Sequence, residues 1–414
     1  MKNNFLFFLI LTTASFVYSQ NATLSPYSYF SVGKFATSTT VENTMMGGMN
    51  IYADSTQFSL NNPATLAKLE FVQYRVGVGY RSVKQTAGDR NSNVSTASLN
   101  YLALSIPTKH FAFSFGLRPK SNVGYRMKVI EEIDGLDQSS FYQGSGGVNS
   151  TFLGFAFNPI KGLSLGVSAH YNFGLTEKSF TRSISGVQLD TQIDTRSELS
   201  GVHYVFGMHY EQKIASKYYV QAGLDYTPLS NLQSTNSQII STLKTSGSIG
   251  TQEQIDLGSL DLTTSKLGSE TNFGIGFGIP QKWFIGASFF STNRGLINPL
   301  ETSSNVNYVA ASRLNIGGFY IPNYDSFTSY FSRIVYRAGI RLEETGVELK
   351  NQHIKDFGIT FGIGLPMGIL SKINIGVELG RLGTTNAGLV EEDYANIMLG
   401  FSLSDVWFIK RKYD

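Results

Sequence analysis

Three arginines at a four-residue spacing, Arg333, Arg337 and Arg341, with Glu343 beyond them, are the residues of this chain best suited to hold an anion. A guanidinium pairs with a carboxylate through two parallel N–H donors, so a column of them on one face would make a track for an acidic ligand. The same column would equally serve as internal ion pairs. Glu378, Asp225 and Glu211 take the same parity, Glu42, Asp54 and Glu70 stand upstream, and buried charges are normally paired. His170, His203 and His209 also share one parity, and Glu211 is the carboxylate nearest them in sequence. A metal or acid–base centre would need convergence with such a carboxylate at a ligand spacing, which is absent, so these histidines read as polar lining. Gly162-Leu163-Ser164-Leu165-Gly166 spells a nucleophile elbow, but that chemistry needs a strand-to-helix turn and no helix follows. Gly274, Gly276 and Gly278 likewise precede no helix that could present an anion-binding N-terminus. Cysteine is absent, which removes disulfides, thiolate sites and an acylated N-terminal cysteine. No nucleophile–base pair assembles, so the expectation is a protein that is not an enzyme and needs no metal or cofactor.

The elements that must position these residues repeat one pattern. Val72, Tyr74, Val76, Val78 and Tyr80 take one parity, while Gln73, Arg75, Gly77, Gly79 and Arg81 take the other. Successive strand side chains point to opposite faces, so one face is apolar and its reverse small or charged. Fourteen such stretches occur, at about 71–82, 97–106, 111–118, 151–157, 163–174, 202–212, 218–227, 272–279, 283–291, 312–321, 332–343, 356–365, 372–381 and 394–404. Each is long enough to cross hydrocarbon, and an even number of them predicts an all-β fold, a closed 14-stranded antiparallel transmembrane β-barrel. On this assignment Val76→Arg would be costly and Gly77→Ser mild.

Connections alternate in length. Short ones lie at 107–110, 158–162, 213–217, 280–282, 322–331 and 366–371; long ones at 83–96, 119–150, 175–201, 228–271, 292–311, 344–355 and 382–393. Short periplasmic turns and long outer loops are the bacterial outer-membrane arrangement, with both chain ends in the periplasm. Proline cannot donate to a ladder, and Pro107, Pro159, Pro280, Pro322 and Pro366 fall in short turns, with none of the ten prolines interrupting a strand. Trp283 and Trp407 mark an interfacial girdle at the turn end. In the third strand Phe111, Phe113, Phe115 and Leu117 alternate cleanly, so the wall there is predicted to be unbroken.

Residues 1–19 read as a secretory signal, with Lys2 ahead of an apolar stretch around Phe5–Ile10 and Val17 and Ser19 at the cleavage positions. Charged residues are 15% of the chain and the net charge is +3, too small a surplus to point to nucleic acid. The domain reading is therefore 1–19 signal peptide, 20–70 a non-alternating N-terminal segment, and 71–414 barrel. Lumen parity holds Gly77, Gly79, Gly116, Gly166, Gly274, Gly276, Gly278, Gly358, Gly362 and Gly364, which would let another piece of backbone approach. That favours residues 20–70 as a hatch plugging the lumen over a loose tail.

The barrel count, the preceding segment with Asn62-Pro63-Ala64, and the C-terminal stretches Asp356–Pro366 and Trp407–Asp414 resemble, as a divergent branch, the FadL-type family of outer-membrane transporters for hydrophobic compounds. The resemblance implies a hatch carrying the Asn-Pro-Ala triplet and a lateral exit for ligand into the bilayer. It also implies passive uptake of small hydrophobic molecules such as long-chain fatty acids, in the outer membrane of a Gram-negative cell in contact with its lipid. One departure is the charged tail Lys410–Asp414 after the last strand. Because FadL-like barrels also serve secretion and assembly machines, a non-transporting subunit with protein partners is the alternative.

Overall fold

The computed structural model describes residues 22–36, 39–214, 217–244, 251–293, 306–368 and 370–407. The expected signal peptide and the tail after Trp407 lie outside the described residues.

Fourteen strands form the wall: β1 Val72–Ala87, β2 Arg90–Pro107, β3 Phe111–Ile133, β4 Leu136–Ile160, β5 Leu163–Ile184, β6 Leu189–Lys213 and β7 Tyr219–Thr227. They continue as β8 Glu270–Ile279, β9 Trp283–Thr292, β10 Ala311–Tyr320, β11 Val335–Leu349, β12 Gln352–Met367, β13 Ser371–Gly383 and β14 Glu391–Asp405. Each pairs antiparallel with its neighbour, and β14 returns to β1 from Glu391–Thr86 to Asp405–Val72, which closes the barrel. The expected parity holds along the wall except in β2, where a bulge at Asn100 leaves Leu99 and Leu102 both on the outer face. Gln73 and Arg75 are buried in the lumen, while Leu153, Phe115, Phe273 and Phe361 stand on the outer surface. An apolar exterior on a sheet closed upon itself is what hydrocarbon demands.

At the short-turn end the predicted strand boundaries hold to within a few residues. At the other end the strands run much further. β4 and β6 are 25 residues each, about 80 Å at ~3.3 Å per residue, far beyond the ~10 needed for the bilayer. Four of the expected long loops are thus continuous hairpins, closed at tight turns such as Asp134-Gly135 and Lys350-Asn351, all with positive φ. Both faces of these extensions meet water, so they carry no apolar alternation by which to be recognised. In the expected loop 228–271, Ser230–Lys244 and Thr251–Leu267 are strands paired antiparallel, and the first also pairs with the outer part of β6.

Two expectations about the wall are overturned. Pro119 lies inside β3, at the register shift between Pro119 and Ser121, so one proline does interrupt a strand. Gly77→Ser is also not the mild control it was taken for: the Tyr101 ring lies where a Cβ on Gly77 would go.

Candidate functional site: a plugged lumen with a seam in its wall

The hatch, from residue 22 to the start of β1, folds inside the barrel around Val41–Thr44, a helical turn capped by Thr40, and Pro63–Lys68, a 3-10 turn capped by Asn62. Met45, Met46 and Met49 are fully buried between hatch and wall. The triplet docks through the Asn62 side chain and through close approach of its backbone to the wall. Asn62 Oδ1 accepts from Ala64 N at 3.0 Å, and Asn62 Nδ2 donates to Met208 O at 3.0 Å and Leu224 O at 3.4 Å. Glycine permits this approach, since a Cβ on Gly166 would strike the Pro63–Ala64 backbone and one on Gly207 the Asn62 side chain. Of the ten expected lumen glycines, Gly166, Gly274 and Gly362 face the hatch in this way. Gly77, Gly116 and Gly276 instead lie under the rings of Tyr101, Phe152 and Phe284, which the periodicity alone did not distinguish.

Charges tie the hatch to the barrel. Arg75 on β1 meets Glu42 at 3.1 Å, both nearly inaccessible, while also donating to Thr56 O and lying 4.7 Å over the Phe58 ring. The Ser402 hydroxyl on β14 donates to the same Glu42 oxygen at 2.5 Å. Burial alone would raise the Glu42 carboxyl; Arg75, Arg337 and Ser402 outweigh it and hold it below its usual range.

The three arginines separate. Arg341 is enclosed by Glu343 at 2.6 Å, Glu378 at 2.7 Å and Asp356 at 3.3 Å, with the Tyr394 hydroxyl at 2.7 Å. Arg337 is buried in the lumen, with Nη1 donating to Asn374 Oδ1 at 3.1 Å. Arg333 is not on β11: it ends the 3-10 turn Phe331–Arg333 in the preceding connection, half-buried and 5.5 Å from the Tyr330 ring centroid. No single track therefore runs through all three. The spacing foretold the shared face of Arg337 and Arg341 but not the turn that removes Arg333.

The histidines do face the lumen. His170 and His203 stack at 4.6 Å, His170 contacting Ser150 and Ser168 and His203 contacting Asn172. His209 meets Ile51 O at 3.1 Å. Among the described residues no cluster of His, Asp and Glu has the makings of a metal site.

The wall is not unbroken. β2 and β3 pair only from Leu102–Leu117 down to Pro107–Ala112, whereas β1–β2 and β3–β4 continue to their outer tips. Above Leu117, β3 turns away from β2 at the Pro119–Ser121 bulge. The facing part of β4 follows it through Gly146 and Gly147, at φ +105° and +149°. Proline removes a ladder donor and the two glycines reach backbone conformations closed to other residues, so the strand pair bends as a unit. The clean alternation of Phe111–Leu117 ends just before this bend, which is why it gave no warning. Hatch residues take over the vacated edge of β3: Lys34 and Phe35 pair with Asn122 and Ser121, and Ala36 N donates to Lys120 O at 3.0 Å.

A cavity of about 240 Å³ opens inside this seam, reached by Ser98 and Asn100 of β2 and Pro119 and Asn122 of β3. Its apolar side includes Phe30, Phe35, Ile354 and Met398, and Arg341, Asp356, Glu378, Lys34 and Arg81 lie at its polar side. A second cavity, about 390 Å³, lies at the short-turn end and shares no lining residue with the first. Sequence reasoning missed Lys34, Arg81, Asp356 and Tyr394 as members of the outer site; Pro119 and Gly144-Ser145-Gly146-Gly147 were the available signals for the seam.

The family model described as BamG matches residues 1–414, the whole length. The chain belongs to the BamG family. Its fold is that of FadL-type barrels, as the sequence resemblance implied. The toluene transporter TbuX of Ralstonia pickettii is 15% identical, with a TM-score of 0.58 over 89% of this BamG-family chain and 98% of that one. The toluene transporter TodX of Pseudomonas putida is 15% identical at a TM-score of 0.57, with 90% and 98% covered. A FadL homologue of Pseudomonas aeruginosa is 12% identical at 0.56, with 89% and 99% covered. No curated protein matches the BamG-family chain in sequence. It is a closed β-barrel of FadL-like form.

Proposed function

We propose that this barrel passively admits small hydrophobic molecules, long-chain fatty acids among them, into the 240 Å³ cavity and releases them sideways through the β2–β3 seam into the outer leaflet. The observation that carries this reading is the coincidence of cavity and seam: residues on both unpaired edges line the pocket. A solute leaving there stays in apolar surroundings, while a straight passage would have to displace the buried methionines of the hatch. Three structural relatives, named as toluene transporters and a FadL homologue, support the assignment by fold. The short-turn end, where β14 finishes at Asp405, is read as periplasmic, because turns on that side are short and extensions on the other are long.

The test uses the absence of native cysteine. Asn100→Cys and Asn122→Cys, bridged by a flexible bis-maleimide, would close the seam, and uptake of a hydrophobic fluorophore into vesicles carrying the barrel should fall to the empty-vesicle rate. Uptake unchanged after complete bridging would refute the lateral route.

A second reading, a non-transporting subunit of an outer-membrane secretion or assembly complex, is favoured by one feature. The outer and short-turn cavities are separated by Met45, Met46 and Met49, none of them exposed. Gentle extraction from membranes discriminates: stoichiometric protein partners support it, and a solitary barrel with uptake activity removes it.

A further inference from the structure

The short-turn cavity holds two cations, Arg337 and Lys372, that have no carboxylate within salt-bridge distance among the described residues. Arg337 is only 4% exposed, yet its Nε has no hydrogen-bond partner and no carboxylate lies within 4 Å among the described residues; its one bond is to the neutral Asn374. Lys372, two residues from Asn374 on β13 and of the same parity, lines the same cavity and likewise has no ion pair among the described residues. Of the carboxylates on this side, Glu70 lines the same cavity with no ion pair among the described residues, and the others have partners of their own. Glu42 belongs to Arg75 at 3.1 Å. Asp54 accepts from Thr56 and Gln57 amides at 2.7 Å each, from the Thr56 hydroxyl at 3.0 Å and from the Tyr52 hydroxyl at 2.9 Å. Glu211 is held by Lys68 at 3.0 Å.

A guanidinium removed from water and left with a free donor is costly, whereas an anion bridging Arg337 and Lys372 would satisfy both. The cavity also specifies the rest of the ligand. Tyr52 packs against Phe284 and Phe319, with ring centroids 4.8 Å away in each case, and Tyr324 adds to the aromatic lining. Its volume of about 390 Å³ falls within the usual span of small-molecule clefts.

We propose that Arg337 and Lys372 form a carboxylate site at the short-turn end of the lumen, and that it takes a small soluble aromatic acid, with the acid group between the two cations and the ring against Tyr52, Phe284 and Phe319. This site is distinct from the seam cavity and does not depend on uptake through it.

Isothermal titration calorimetry of the full-length barrel in detergent reads occupancy. The probe is 4-bromobenzoate, and 4-bromobenzamide is its neutral counterpart. The expected result is saturable binding of the acid and binding weaker by about tenfold or more for the amide, the loss of one charge-assisted pair. Lys372→Gln should weaken the acid by about the same factor and leave the amide unchanged, and Lys372→Arg should restore the acid. Lys372 carries the test because it is partly exposed where Arg337 is buried. Equal affinity for acid and amide, or acid binding indifferent to Lys372→Gln, would overturn the proposal. Both readouts are independent of transport, so a failure here leaves the lateral route standing, and the converse.

Discussion

Removal of one partner from the Arg75–Glu42 pair should loosen the hatch without opening the barrel. At 3.1 Å and an effective dielectric of ~20, Coulomb attraction is about 5 kcal/mol. Arg75 would retain Thr56 O and the Phe58 ring in a Glu42→Gln variant, so the expected net cost is nearer the lower end of the ~3–5 kcal/mol typical of a broken buried pair. A loss of about 3 kcal/mol raises the population of the undocked hatch on the order of a hundredfold. Hydrogen exchange of the amides of Thr44 and Met45, which bond to Thr40 O and Val41 O, reads that population directly, with barrel-strand amides as the internal reference. Arg75→Met should give a similar acceleration. The double variant Arg75→Met/Glu42→Gln should recover part of the protection, because it no longer strands a charge. Exchange within about threefold of the parent for both single variants would refute the claim that this pair anchors the hatch.

Acid should act on the same contact. Because the folded Glu42 carboxyl sits below its ordinary value, its contribution is full above the unfolded carboxylate range and is lost as pH falls through the lower folded value, so hatch protection corrected for intrinsic rates should be flat from neutral pH downward and collapse only below about 4.5. Gly166→Ala should displace the Asn-Pro-Ala turn, at a cost of about 1–3 kcal/mol from overpacking against Ala64, seen as faster exchange at residues 64–68. Leu153→Arg, on the outer face about halfway up the apolar band, should cost about 2–4 kcal/mol in urea titrations of the lipid-embedded barrel, and Asn93→Arg on the wet outer extension close to nothing. Equal tolerance at Leu153 and Asn93 would overturn the placement of the bilayer.

The wall was readable because oil and plug impose a two-residue period: Val76 and Arg75 sit where alternation put them, and the strand count follows. The outer extensions were not, because Ser139, Thr195 and Gln238 sit in strands wetted on both faces, where nothing enforces a period. Glycine on the inner parity pointed correctly to an occupied lumen. It could not separate Gly166, which admits hatch backbone, from Gly77, which admits a wall tyrosine, since both need the same missing Cβ. The arginine column was half legible. Arg337 and Arg341 keep strand geometry, but their different partners include Glu378 and Asn374 from β13, which is not next to β11 in sequence order. The seam escaped for a related reason: a ladder that stops is a relation between two strands, and neither β2 nor β3 announces it alone.

Because Lys34 and Phe35 complete the ladder on the β3 edge, the hatch is stitched into the sheet as well as seated within it. Pulling it out like a cork would strip amides at membrane depth of their partners, a penalty of several kcal/mol for each group left facing lipid tails. Traffic across such a barrel must therefore slip past a stationary stopper, and an isolated wall synthesised without its first seventy residues would be left with a torn, adhesive margin.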